Sequence, residues 1–498
     1  MKTATRKGPL YLASISLDEA SAVPLHRQLY FALREAILDG RLRPGARLPS
    51  SRSLAGDLGV SRNTVLAAFE QLLAEGYIEG RVGAGSFVSE LLPEHALNAR
   101  PGHVDATRDA VAPPGPSRRG AYLCEMVTGT SKPRAFAPGL PELAAFPFED
   151  WARLLQRHWR NPPESFLIGS DPSGHGPLRD ALARYLGASR AVRCDADQVF
   201  IVSGAQQALD LMARVLLDPG DEVWVEDPGY PGLIGALLAS GSKLVPLAID
   251  DEGLSVAEGR RLAPKARMAC ISPSHQYPLG VTMSLARRLE LLDWAREADA
   301  FVLEDDYDSE YRYSGRPLAA LQGLDTDGRV VYVGTMSKVM FPGLRLGYMV
   351  VPKHLVSAFK AVRRLTDTHP STLAQPALAE FIEDGSLAAH VRRTRALYAE
   401  RQTMLIDALE RRLRDRITVR PSQAGMHLVA SLPDGTDDRR LSASARRYGV
   451  EAPALSSYFR THHPRTGLLL GYAGVPEKVI ERGVAGLAKA LDEIGASA

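Results

Sequence analysis

Short apolar runs separated by helical periodicity occupy most of the chain beyond residue 199. The runs are Val199 to Val202, Glu222 to Val225, Lys243 to Pro246, Met268 to Ile271, Ala300 to Leu303, Val330 to Val333 and Gly347 to Val351. Such runs read as strands buried on both faces, and the helical patterns between them predict an α/β fold with a largely parallel sheet. The first ninety residues are patterned differently. Leu25, Leu29, Leu33, Ile37 and Leu38 recur at helical spacing until Gly40 and Pro44-Gly45. A serine just ahead of Leu54, Ala55 and Leu58 caps a short second helix, and Ser61 caps a third, Arg62 to Ala74, with Val65, Phe69 and Leu72 facing inward. Gly76 to Val88 reads as a hairpin with glycines near its tip. From about Leu91 to Gly120 periodicity vanishes among Pro93, Pro101, Pro113, Pro114 and Pro116, the composition of an extended tether. The expected organisation is a small domain over 1–90, a linker over 91–120 and a large domain over 121–498.

Two short helices joined at Gly59, the second offering Arg62, Asn63 and Thr64 at its exposed start, form the helix-turn-helix geometry that enters a major groove. The hairpin supplies a wing. The runs Leu48-Pro-Ser-Ser-Arg-Ser-Leu-Ala55, Leu58-Gly-Val-Ser-Arg-Asn-Thr-Val65, Glu75-Gly-Tyr-Ile78 and Gly83-Ala-Gly-Ser-Phe-Val88 resemble the GntR-type winged helix throughout. That resemblance implies that Arg52, Arg62, Asn63 and Thr64 touch a double-stranded DNA operator, while Gly83 and Gly85 shape the wing.

In parallel sheets ligands gather beyond the carboxyl ends of strands. After Val202, Ser203-Gly204-Ala205-Gln206 is a small-residue turn opening a helix, where free amides and the helix dipole favour a phosphate. Tyr230, after the next run, offers a face to stack on a flat ring. His275 and Tyr277 follow Ile271, and Asp305 and Tyr307 follow Leu303. After Val333 come Thr335, Ser337, Lys338 and Arg345, between two buried runs. An ammonium is seldom buried there unless paired or deprotonated. A lysine joined as a Schiff base to pyridoxal phosphate (PLP) escapes that difficulty, and Thr335, Ser337 and Arg345 provide donors for the phosphate.

This order of strand ends matches a fold-type-I PLP site, and the stretch from Phe136 to Ala490 is similar to the aminotransferase-like half of the MocR regulators. The resemblance implies a large α/β domain with a mostly parallel sheet and a small α+β C-terminal lobe. It makes Lys338 the Schiff-base lysine, Asp305 the partner of the pyridine nitrogen and Tyr230 the stacking ring. Tyr307 approaches the phenolic oxygen, and Ala205 and Gln206 hold phosphate by backbone together with Thr335, Ser337 and Arg345. A homodimeric transcriptional regulator is implied, in which PLP or a PLP-amine adduct alters operator binding; an aminotransferase with an accessory DNA-binding domain is the alternative.

Two departures qualify the match. Aminotransferases usually have Asn-Pro where this chain has Tyr277-Pro278, leaving the phenolic-oxygen contact open between Tyr277 and His275. Leu468-Leu469-Leu470 stands where the enzymes carry an arginine for the substrate α-carboxylate, with Arg465 the nearby substitute. The second departure argues against ordinary amino-acid transamination and leaves PLP binding intact.

Composition adds only bounds. At 498 residues the chain exceeds a single core. A formal charge of +2 is too mild to announce nucleic-acid binding globally, so that function is read locally. Three cysteines without ligand spacing point to no metal and to a reducing cytoplasm. The Leu10 to Leu17 run is a poor signal peptide, and no apolar run reaches the ~18 residues of a membrane span, so a cytoplasmic location is expected.

Overall fold

The structure is a computed structural model and describes residues 15–81, 83–92, 114–125, 134–314, 318–460 and 465–495. Two compact units divide the chain, Met1–Pro114 and Gly115–Ala498.

In the first unit, α1 (Leu25–Leu38), α2 (Ser51–Leu58) and α3 (Arg62–Ala74) precede the hairpin β1 (Ile78–Arg81) and β2 (Gly85–Val88). The inward positions of all three helices meet in one core: Leu29, Leu33 and Ile37, then Leu54, then Val65, Phe69 and Leu72, closed by Tyr77, Ile78 and Val88. The cap of α2 is Ser50, whose Oγ accepts from the Ser53 amide at 3.2 Å. Ser61 Oγ accepts from the Thr64 amide at 3.1 Å and so fixes the start of α3. An N-cap of this kind contributes about 1 kcal/mol. β1 and β2 pair antiparallel, and Arg47 bridges to Phe87 so that the chain before α2 joins the wing.

The second unit is built on an eight-stranded sheet. Its strands are β3 (Val199–Val202), β4 (Glu222–Asp227), β5 (Lys243–Asp250), β6 (Gly253–Leu254), β7 (Met268–Ile271), β8 (Phe301–Asp306), β9 (Val330–Thr335) and β10 (Gly347–Val350), in the order β3-β10-β9-β8-β7-β4-β5-β6. From β9 to β5 neighbouring strands are parallel, whereas β10 runs antiparallel to both β3 and β9. Period-two alternation explains why the strands read as continuous apolar runs. Val223 and Val225 pack with Leu209 and Met212 of α4 (Ala205–Leu216) on one face. Trp224 points to the other face and stacks on Trp294 with ring centroids 3.7 Å apart; its indole N–H donates to the Ala263 carbonyl at 2.9 Å. Such a pair contributes about 0.5–1.5 kcal/mol beyond its buried area.

A smaller lobe carries the antiparallel sheet β11 (Thr418–Val419), β12 (His427–Ser431) and β13 (Gly467–Gly471), covered by α5 (Ser386–Leu413) and α6 (Glu477–Gly495). The α/β architecture with a small C-terminal lobe is therefore the one expected. One difference concerns the tether. A helix, Arg118–Glu125, begins inside the stretch expected to be extended, and Arg119 Nη1 donates to the Ala239 carbonyl at 2.6 Å. Pro93, Pro101 and Pro113 of that stretch lie outside the described residues. Among the described residues no helix is long and apolar enough to cross a membrane.

Candidate functional site

The strand ends converge on a cavity of about 410 Å³. Ala205, Gln206, Tyr230, Tyr277, Asp305, Tyr307, Thr335, Ser337, Lys338 and Arg345 all line it. They reach it from the ends of β3, β4, β7, β8 and β9, because a parallel sheet delivers successive carboxyl ends to the same edge.

At one end α4 begins without a side-chain cap. Its N-cap, Gly204, has φ 100°, a conformation glycine adopts freely, and a Cβ there would lie 3.4 Å from the Arg345 guanidinium nitrogens. The cradle therefore combines uncapped backbone amides, the positive end of a helix and a guanidinium, the donor set of a phosphate site. Among the described residues Arg345 has no ion-pair partner. Thr335 Oγ1 accepts from the Ser337 amide at 3.1 Å and holds the turn that leads to the lysine.

Lys338 Nζ donates to the Gly139 carbonyl at 2.9 Å. Gly139 has φ 75°, a conformation that favours glycine, and a Cβ on it would lie 2.5 Å from Nζ, so a larger residue would displace the lysine tip. Burial lowers the lysine's pKa, outweighing the carboxylates of Asp308 and Asp305. A neutral amine is the nucleophilic form that attacks an aldehyde. Across the cavity Asp305 Oδ1 is buried with no hydrogen-bond partner in the protein. Burial, then repulsion from Asp306 and Asp308, pushes Asp305 up to about 7. A buried carboxylate oxygen without a donor is costly, and a ring N–H aimed at it would satisfy it.

The tyrosines form an edge-on cluster. Tyr230 meets Tyr277 at 5.8 Å and 86°, Tyr277 meets Tyr307 at 5.9 Å and 84°, and Tyr277 Oη donates to Tyr458 Oη at 3.2 Å. His275 is the site residue that the structure displaces. It does not line the cavity but lies buried behind it, with Nδ1 3.0 Å from Tyr307 Oη and 3.1 Å from Asp308 Oδ2. Gly280 and Gly425 pack against its ring, where added Cβ atoms would lie 3.1 and 2.1 Å from ring atoms. Of the two residues left open for the phenolic oxygen, only Tyr277 is on the lining.

Two lining residues with titratable side chains, Asp308 and His427, are not among the candidates read from the sequence. His427 Nε2 lies 3.1 Å from the Pro278 carbonyl, and burial with neighbouring His275 pushes its pKa down to about 3. Nothing local marks it, since it arrives from the small lobe. Arg465 lines a different cavity of about 760 Å³, together with Arg420.

In the first unit Arg52, Arg62 and Asn63 are exposed and Thr64 is half-buried at the start of α3, with Arg62 Nε 3.4 Å from Ser51 Oγ. Gly83 and Gly85 lie exposed in the wing turn, and the Arg47 guanidinium sits 3.5 Å from where a Cβ on Gly85 would be. Arg47 is thus a further exposed cation beside the wing. Replacing Arg62 by alanine should weaken binding to a preferred operator by about 1–3 kcal/mol and flatten discrimination between operators. Gel-shift titrations on two operator sequences check this, with an unchanged ratio rejecting α3 as the reading helix.

A winged helix joined to an aminotransferase-like domain defines a class of DNA-binding regulator built on an enzyme fold. Residues 25–88 match the model for bacterial regulatory proteins of the gntR family, and residues 140–485 match aminotransferase class I and II. The chain is 46% identical over 476 residues, 95% of each chain, to a probable rhizopine catabolism regulatory protein, MocR, of Rhizobium meliloti. It is 30% identical over 466 residues, 94% of this chain and 96% of the relative, to the pyridoxine biosynthesis transcriptional regulator PdxR of Corynebacterium glutamicum. The kynurenine aminotransferase of Pyrococcus horikoshii, solved with PMP, superposes with a TM-score of 0.68 at 30% identity over 79% of this chain and 98% of that one. The chain belongs to the MocR family of GntR-type transcriptional regulators, whose large domain has the fold of the PLP-dependent class I and II aminotransferases.

Proposed function

We propose that this regulator senses PLP, alone or combined with a small amine, through Lys338, and transmits its occupancy to operator binding. The observation that carries the reading is the pairing, in one cavity, of a buried lysine with the unpartnered Oδ1 of Asp305. The residues fit the cofactor. Lys338 would hold its aldehyde carbon, Asp305 its ring nitrogen, and the Gly204 to Gln206 turn with Thr335, Ser337 and Arg345 its phosphate. Tyr230 would flank the ring, and Tyr277 or Tyr307 would meet the phenolic oxygen, with His275 and Asp308 orienting Tyr307. When bound, the cofactor supplies a carbonyl that captures amines covalently. The relative named as a pyridoxine biosynthesis regulator supports a vitamin B6 compound as the signal.

On this reading residues 1–90 are the DNA-binding domain, 91–120 link it, and 121–498 are the effector and dimerisation domain of a cytoplasmic homodimer. Two heads tethered to one dimer bind an operator with two half-sites more tightly than one head, through effective concentration. The buried Leu469 where an arginine would receive an α-carboxylate supports a sensor over a transaminase. Borohydride reduction of the PLP-treated full chain, followed by peptide mapping, tests the site. A phosphopyridoxyl group on Lys338 is expected; modification only elsewhere, or none, rejects it.

A further inference from the structure

We propose that the helix Arg118–Glu125 carries cofactor occupancy out of the large domain to the tether, docked through Arg119 on the far end of a helix whose near end flanks the cofactor. This rests on the cofactor reading above and names the route by which that site is read out. Arg118–Glu125 is the first described helix after the wing strand β2, so whatever holds or frees it acts on the chain that leads back to the DNA-binding unit.

The helix it docks on is Pro231–Ser240. At the near end Tyr230 is the N-cap, and Gln206 Nε2 donates to the Gly232 carbonyl at 2.9 Å. Gly232 is so tightly placed that a Cβ on it would lie 2.5 Å from both Gln206 and the Tyr230 ring. Tyr230 and Gln206 line the cofactor cavity, so occupancy of that cavity bears directly on this end. The inner face, Leu233, Ile234 and Leu237, is buried in one core with Leu209 and Met212. A helix of 10 residues packed in this way moves as a rod about 15 Å long, and a shift at one end is felt at the other.

At the far end the Ala239 carbonyl is among the last four of the helix, which have no partner within it, and it accepts from Arg119 Nη1 at 2.6 Å. A guanidinium also suits the negative end of the helix dipole. Leu123, four residues after Arg119 and so on the same face, lines a cavity of about 680 Å³ with Gly235, Ala236, Gln206 and Arg345. A Cβ on Gly235 would meet nothing within 4 Å, so Arg118–Glu125 is seated beside open space and not interlocked with its support. An exposed hydrogen bond and a half-buried leucine make a docking that is easily shifted. Docked and released are the two arrangements that coupling requires. A filled cofactor cavity fixes Gln206 and Tyr230, steadies the rod and favours the docked arrangement.

The test is hydrogen exchange on the full chain with and without saturating PLP, read by mass spectrometry, with the visible spectrum confirming the load. PLP should slow exchange of the amides in 118–125 by roughly fivefold or more. Arg119→Ala should still load PLP, since Arg119 is not on the cavity, and should lose the slowing; Arg119→Lys, which keeps a donor for the Ala239 carbonyl, should restore it. Unchanged exchange in the loaded wild type, wild-type slowing in Arg119→Ala, or no restoration in Arg119→Lys overturns the inference. So does an Arg119→Ala chain that no longer loads PLP, which would place the residue in binding and not in the readout. A wild-type chain that takes up no PLP overturns the cofactor reading and this inference together, whereas a loaded chain with unchanged exchange overturns this inference alone.

Discussion

Lys338→Ala leaves a protein that binds operator DNA as the PLP-free wild type does and no longer responds to PLP. The lysine's Nζ donates one hydrogen bond, to the Gly139 carbonyl, and burial disfavours its charge, so the fold gains little from the side chain. Removing it should not lower the melting temperature of the PLP-free chain. Its loss abolishes covalent retention, and apparent affinity for PLP should fall by roughly 100-fold or more, about 3 kcal/mol. Dialysis followed by visible absorbance measures retention, and thermal unfolding measures stability. A variant that keeps PLP through dialysis would remove Lys338 from the account; one that unfolds would make the residue structural.

Asp305→Asn is the second large effect. Oδ1 has no partner in the protein, and the carboxyl is held up at about 7, against an ordinary value of 3.8. With its folded pKa raised, the unloaded fold binds a proton that the unfolded chain has released. The penalty from this group is absent at acid pH, grows as pH rises above about 4 and is complete above about 7. A ring N–H at Oδ1 relieves it, so PLP should raise the melting temperature more at about pH 8 than at about pH 6. Asparagine removes the charge, and the unloaded chain should be as stable as wild type or more so. Affinity for PLP should fall by about 1.5–3 kcal/mol, the worth of a hydrogen bond to a charged group. Calorimetric titration at both pH values checks this, and unchanged affinity would place the ring nitrogen elsewhere.

The parts legible in the sequence were those set by local pattern. Strands such as Val199–Val202 and Met268–Ile271 lie at the positions their apolar runs mark, because both faces are buried and no polar residue interrupts them. The strand ends follow from the sheet's direction, which is why the sequence alone groups Tyr230, Asp305, Thr335 and Lys338. What stayed hidden depends on long-range packing. His427 comes from another lobe, on a strand whose short mixed sequence carries no distinctive period. His275 has the chemistry of a cofactor ligand, yet Tyr307 and Asp308 hold it behind the cavity wall. The two-residue β6 and the Arg47 bridge to Phe87 are register effects that neither propensity nor periodicity encodes. The helix Arg118–Glu125 was obscured by the prolines just before it.

On this reading cofactor occupancy and DNA affinity are coupled. Operator affinity of the full chain, measured by anisotropy at one fixed salt concentration with and without saturating PLP, tests it most directly. Coupling of about 1–3 kcal/mol should change the dissociation constant by roughly 5 to 150-fold in wild type, with no change in Lys338→Ala. Equal affinities with and without PLP in a wild-type chain that demonstrably carries it would contradict the account.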